Sequence, residues 1–108
     1  MPHYIAIVEE AGPETAVGIW FPDLPGCFSA GDTVDDALRN AEEALALFAE
    51  AEREQGRPLP PPRTLSELRQ DPEAAADIRN YMVALVALPA TFGVVAGHGP
   101  SSKVSTTS

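Results

Sequence analysis

The sequence predicts an α+β fold with the element order β-β-β-α-β, in which one main helix packs on a sheet. Three observations predict it. Residues 3–9 and 15–21 are rich in β-forming side chains, residues 34–53 carry apolar side chains at helical spacing, and residues 81–88 are almost continuously apolar. We therefore expect a three-stranded antiparallel sheet, a further C-terminal strand, and a helix that covers one face of the sheet.

The first two strands are expected to pair as a hairpin, because a turn sequence with glycine and proline separates them. In the second strand the side chains alternate, with Val17, Ile19 and Phe21 on one face. Residues 22–26 include two prolines, which cannot donate to a sheet, so the chain must leave the sheet there. We expect it to return as a short third strand that starts at Cys27.

The main helix is expected to begin after Thr33, which is a good N-cap and is followed by Asp35 and Asp36 in the first turn. An apolar stripe with spacings of four and three follows and consists of Val34, Leu38, Ala41, Leu45 and Phe48. A stripe of about three heptads indicates a helix that lies on a sheet, rather than a coiled coil. Gly56 and Pro58 end the helix.

The rest of the ordered chain is expected to return to the sheet through short helices. Residues 58–63 form a stiff polyproline-like spacer. A capping box starts a helical turn over residues 65–70, and an Asp-Pro pair starts a second helix that reaches about residue 80. Residues 81–88, which Pro89 ends, predict a strand that is buried on both faces and pairs in parallel inside the sheet.

These elements predict one domain over residues 1–89 and a flexible polar tail over residues 90–108, in which no DNA-binding domain is recognisable. The sequence contains no signal peptide and no apolar run long enough to span a membrane. Cys27 is the only cysteine, so the chain cannot form an internal disulfide. We expect a cytoplasmic protein.

The formal net charge of −9 bears on the function of the protein. A field of this sign repels phosphate backbones, which argues against a nucleic-acid-binding module. It attracts and steers a basic protein. The alternative is that the charge only keeps the protein soluble, as in many acidic proteins.

Reactive clusters are not found in the sequence, so we expect no cofactor, no metal and no enzymatic activity. The two histidines have no further ligand at metal-binding spacing, and Cys27 has no predicted histidine beside it. No phosphate-binding loop or hydrolase motif occurs. One enzymatic alternative remains open, a metal-dependent nuclease, if Glu9, Asp23 and Asp32 converge at one edge of the sheet.

Two groups of side chains are candidates for partner contact. The first surrounds the double-proline turn and consists of Trp20, Phe21, Asp23, Leu24 and Phe28. Aromatic anchors on a stiff loop are typical of binding hot spots, although the same side chains suit the end of a small core. The second group lies on the acidic face of the main helix and consists of Glu42, Glu43 and Glu50. These glutamates either dock a basic partner or form a solvated surface.

Three segments carry a resemblance to a known family. Residues 4–9, residues 18–33 with the block FPDLPGCFSAGDT, and residues 37–45 resemble the HicB antitoxin family, over about residues 3–89. The resemblance implies a partial ribonuclease H-like domain that is inactive as a nuclease. It also implies a partner, the small basic toxin HicA, a ribonuclease whose active site the antitoxin masks. Family members commonly form dimers or larger assemblies.

The resemblance therefore predicts an antitoxin that neutralises a small basic HicA-like ribonuclease and forms a homo-oligomer. Many members add a C-terminal DNA-binding domain, but residues 90–108 contain a single basic residue, Lys103, so operator binding is doubtful. A stand-alone oligomeric domain without a toxin is the main alternative. The metal-dependent ribonuclease H-like nuclease is a less favoured one.

Overall fold

The computed structural model describes residues 2–10 and 16–88 of the 108-residue chain. The elements follow in the order β1 (His3–Glu9), β2 (Val17–Trp20), β3 (Phe28–Gly31), α1 (Val34–Glu54), α2 (Leu65–Leu68), α3 (Pro72–Asn80) and β4 (Met82–Ala87). This order confirms the predicted α+β class, with one main helix and four strands. The predicted tail over residues 90–108 lies outside the described residues.

The four strands form one sheet in the order β3-β2-β1-β4, and every neighbouring pair is antiparallel. The register places Trp20 opposite both Phe28 and Ile7, and Ile7 also lies opposite Val83. Paired residues of adjacent strands point to the same face of a sheet. These four side chains therefore form one row across a single face.

The prediction of a parallel strand buried on both faces is wrong for β4. Met82 pairs with Val8 near the end of β1, because α3 delivers the chain there, and β4 then runs back along β1. β4 is thus an antiparallel edge strand. Leu85 is 66% exposed and only Val86 is buried.

The main core lies between one face of the sheet and α1. Ala37, Ala41 and Leu45 of the helix have no exposed surface and pack against the inward side chains of β1 and β2. The hydroxyl of Thr33 accepts a hydrogen bond from the backbone N–H of Asp36 at 3.1 Å, which confirms the predicted N-cap. Two members of the predicted apolar stripe, Ala41 and Leu45, are thus buried, and the other three are partly buried against the same core.

A smaller core lies on the opposite face of the sheet. Ile5 packs there against Leu68 of α2 and Ala74 of α3. The predicted capping box of α2 is present, and Pro72 occupies the first turn of α3. The short helices thus cover part of the face that α1 leaves open. No helix in the described ranges has the length and apolar composition needed to cross a membrane.

Candidate functional site

A surface cleft of about 320 Å³ lies between the double-proline loop (residues 21–27) and α3. Trp20 and Phe28, neighbours in the row across the sheet, line it together with the loop. On the side of α3 it is lined by Asp71, Glu73 and Asp77. The cleft therefore combines the aromatic rings of Trp20 and Phe28 with three carboxylates.

The double-proline loop is held rigidly by its own backbone. The N–H of Leu24 donates to the carbonyl of Phe21, and the N–H of Cys27 donates to the carbonyl of Leu24, both at 3.0 Å. Gly26 has a φ of 95°, a backbone conformation that glycine adopts readily and other residues rarely do. Two successive turns thus carry the chain from β2 to β3.

Two of the predicted contact residues anchor this loop in the core. Phe21 is 2% exposed and Leu24 is 1% exposed, and both belong to the main core. They fix the loop to the core and offer almost no surface to a partner. Cys27 is also buried, and burial raises the pKa of its thiol to about 11.

Asp23 serves as a brace between the loop and the start of α3. Its carboxylate accepts the backbone N–H of Arg63 at 2.8 Å and the Nε–H of the same residue at 2.6 Å. Arg63 also donates through Nη1 to Asp71 at 3.3 Å. The hydrogen bond with Asp23 raises the pKa of Arg63. Asp23 therefore fixes the two sides of the cleft relative to each other.

Trp20, which lines the cleft, is held in one orientation. Its indole Nε1–H donates to the carboxylate of Asp77 at 3.2 Å. Its ring meets Tyr81 edge to face, with centroids 5.4 Å apart and planes at 78°. Phe28, in contrast, is 68% exposed. One aromatic ring of the cleft is thus fixed, and the other is free to contact a ligand.

The carboxylates of α3 differ in how far they are already engaged. Asp71 caps α3 by accepting the backbone N–H of Glu73 at 3.1 Å, and this hydrogen bond is the main cause that lowers its pKa. Asp77 holds Trp20 through one oxygen. The carboxylate of Glu73 has no hydrogen bond or ion pair within the described part of the chain. Negative charge at the cleft is therefore only partly compensated.

The predicted acidic residues of α1 do not reach the cleft. Glu42 and Glu43 are exposed and Glu50 is half-buried. Their helix packs on the face of the sheet opposite to Trp20 and Phe28, so the sheet separates these glutamates from the two aromatic side chains. Sequence reasoning missed the acids of α3, although Glu73 and Asp77 stand four residues apart, a spacing that places both on one helix face.

The possible metal site at Glu9, Asp23 and Asp32 finds no support in the geometry. In residues 2–10 and 16–88, no three His, Cys, Asp or Glu side chains come together in a way that could hold a metal ion. Asp23 is instead occupied by Arg63.

The chain is similar in sequence to proteins of a known family. A family model described as a HicB-like antitoxin of bacterial toxin-antitoxin systems matches residues 4–91. The chain is 42% identical over 52 residues to an uncharacterized 14.9 kDa protein of Haemophilus phage HP1. It is 37% identical over 54 residues to Antitoxin HicB 2 of Photorhabdus laumondii. These matches cover 48% and 50% of the chain, and each spans only 39% of the relative's length.

Solved structures share the fold. The antitoxin HicB of Burkholderia pseudomallei aligns with a TM-score of 0.69 at 30% identity, over 85% of this chain and 67% of that one. A chain of a HicA3 and HicB3 toxin-antitoxin complex aligns with a TM-score of 0.62 at 32% identity, over 81% of this chain and 98% of that one.

Proposed function

The chain belongs to the HicB-like family of bacterial antitoxins, and on that premise we propose that it neutralises a small basic HicA-like ribonuclease toxin by masking the toxin's active site. The observation that carries the proposal is the likeness to the HicA3 and HicB3 toxin-antitoxin complex, in which 98% of the matched chain aligns with this one. A domain of this shape thus occurs in a complex with a toxin.

The charge of the protein supports a basic partner. The net charge of −9 attracts a cationic protein over distances of about 10 Å at 0.1 M salt. Glu42 and Glu43 project exposed carboxylates from α1, and Glu73 adds another beside the cleft. We assign the acids of α1 a role in the first encounter with the toxin. We assign the cleft a role in contacting the toxin within the bound complex.

The protein is proposed to act by occupancy and not by reaction. The raised pKa of the Cys27 thiol, about 11, keeps it protonated at neutral pH, and the side chain is buried. Two of the three carboxylates at the cleft are already engaged, since Asp71 caps α3 and Asp77 holds Trp20. Such a surface can cover a partner's active site, but it supplies no activated nucleophile.

Three further parts of the proposal concern the protein as a whole. Residues 1–89 form the toxin-binding domain, the protein works in the cytoplasm, and it forms a homo-oligomer, either a dimer or a larger assembly. Sedimentation of the free protein, compared with its complex, measures the last of these directly.

A titration of purified toxin with this protein tests the function. We expect RNA cleavage to fall linearly and to stop at a fixed molar ratio, because each antitoxin covers one toxin. Full cleavage in a molar excess of this protein would refute the proposal. Inactivation that progresses with time at a small fraction of the toxin concentration would show that this protein is a catalyst.

A further inference from the structure

We propose that the cleft between the double-proline loop and α3 receives an arginine side chain of the basic partner. The inference deepens the proposed function and rests on it, because it names the group that the antitoxin recognises. It draws on the lining of the cleft, on the exposure of Phe28 and on the uncompensated charge of Glu73.

The aromatic rings of the cleft suit a flat cation. Phe28 is 68% exposed, although it pairs across the sheet with the half-buried Trp20. A large exposed aromatic ring beside a cleft is a common anchor of protein interfaces. Guanidinium groups stack on such faces, and the attraction grows when water is displaced.

The carboxylates across the cleft supply the counter-charge. Glu73 has no partner in the described part of the chain, and Asp77 uses one of its oxygens to hold the indole of Trp20. Arg63 donates a hydrogen bond to Asp71 but does not line the cleft. A guanidinium group between Phe28 and α3 thus finds both an aromatic face and unpaired carboxylate oxygens.

Arginine fits these features better than lysine or an anion does. Its planar group stacks on a ring and donates several hydrogen bonds in the ring plane, whereas lysine carries a compact and strongly hydrated charge. A phosphate group would meet three carboxylates and be repelled. The volume of about 320 Å³ is at the lower end of ligand pockets, which suits one long side chain.

The cleft is already arranged before a partner arrives. Arg63 connects Asp23 of the loop with Asp71 of α3, and Asp77 fixes Trp20. A site whose side chains are held in place loses little conformational entropy on binding.

The first test uses the free protein and a small probe. Trp20 is the only tryptophan, so its indole N–H gives one NMR cross-peak that reports on the cleft. We expect N-acetyl-arginine amide to shift this peak saturably, N-acetyl-lysine amide to shift it less, and the uncharged N-acetyl-citrulline amide to leave it in place. An unmoved peak with arginine, or an equal shift with citrulline, overturns the inference.

The second test uses the toxin and matched variants. Phe28→Ala and Glu73→Gln are each expected to raise the Kd for the toxin about tenfold. Leu85→Ala is the apolar control, because Leu85 is 66% exposed on the same face of the sheet but at the opposite edge. Glu10→Gln is the acidic control, since Glu10 is exposed and does not line the cleft.

The outcomes separate the inference from the function on which it rests. Toxin inhibition by the wild type with equal Kd values for cleft and control variants overturns the cleft assignment and leaves the antitoxin role intact. A wild type that does not bind the toxin overturns the antitoxin role, and the arginine probe then decides whether the cleft still recognises guanidinium groups.

Discussion

The packing of α1 on the sheet depends on a single glycine. A Cβ atom at position 31 would lie 2.5 Å from the backbone nitrogen of Ala37 and 2.8 Å from the carbonyl carbon of Asp36. Both atoms belong to the first turn of α1, so a side chain could be accommodated only by moving the helix.

We therefore expect Gly31→Ala to lower the free energy of unfolding by about 1–3 kcal/mol, as overpacking of a core does. Gly18→Ala is the matched control, because Gly18 lies opposite Ala30 in the same sheet and a Cβ there meets nothing within 4 Å. Its effect should stay within about 0.5 kcal/mol. Urea denaturation of both variants measures the difference, and equal effects would contradict the role assigned to Gly31.

Cys27 offers a test of the packing around the double-proline loop. Burial raises the pKa of its thiol from 9.0 to about 11, and only the thiolate reacts with alkylating or disulfide reagents. At pH 8 this shift alone is expected to slow labelling about 100-fold relative to the unfolded chain. Labelling with Ellman's reagent in buffer and in urea checks the prediction. Equal rates would show that the loop opens readily.

The burial of the side chains around the double-proline loop is predictable in part from the sequence. The alternation along β2 places Phe21 with Val17 and Ile19, and the structure buries all three. The same alternation sends Trp20 to the opposite face. It carries no information on the exposure of Phe28, which depends on how a distant part of the chain, α3, packs on the sheet.

At the level of elements, local signals were the reliable ones. The N-caps Thr33 and Thr64 and the Asp71-Pro72 start of α3 involve neighbours within four residues, and the structure confirms each. The direction of β4 does not follow from neighbours. Its apolar run fits a central parallel strand equally well, and only the point at which α3 ends decides that it runs antiparallel at an edge.

The cap of α3 predicts a pH dependence. Hydrogen bonds from the backbone, chiefly that of Glu73, lower the pKa of Asp71 below its ordinary 3.8 in the folded state. The folded state therefore favours the carboxylate, and this contribution to stability is present above pH 3.8 and is lost as the pH falls through the folded pKa.

Asp71→Asn tests this contribution, because asparagine preserves the cap but cannot be ionised. We expect the variant to be less stable than the wild type at neutral pH and to approach it below pH 3.8. Urea denaturation across this range measures both curves. A stability difference that does not change with pH would contradict the assignment.

At the level of the whole molecule, the sheet divides the acidic surface. The acids of α1 lie on one side, and the cleft with its aromatic rings lies on the other. Composition predicted the negative charge but not this division, because the side on which each helix packs follows from strand order and crossover. Acids on both sides of the sheet contribute to the long-range electrostatic field, whereas direct contact with a partner requires only one side of the sheet.

This division predicts separate kinetic roles for the two sides. We expect the rate constant for association with the toxin to fall at least about 10-fold between roughly 0.01 M and 1 M salt, because salt screens the field that steers the encounter. The dissociation rate constant should change much less, since the cleft is a short-range contact. Stopped-flow measurement of both rate constants over this range gives the comparison.

The triple variant Glu42→Gln, Glu43→Gln and Glu50→Gln isolates the side of α1. Removing three exposed or half-buried charges should slow association and weaken its salt dependence, while the dissociation rate constant stays near the wild-type value. Phe28→Ala should show the converse, with faster dissociation and unchanged association. If the triple variant instead dissociates faster, α1 touches the toxin directly, and the bound surface must be placed on the other side of the sheet.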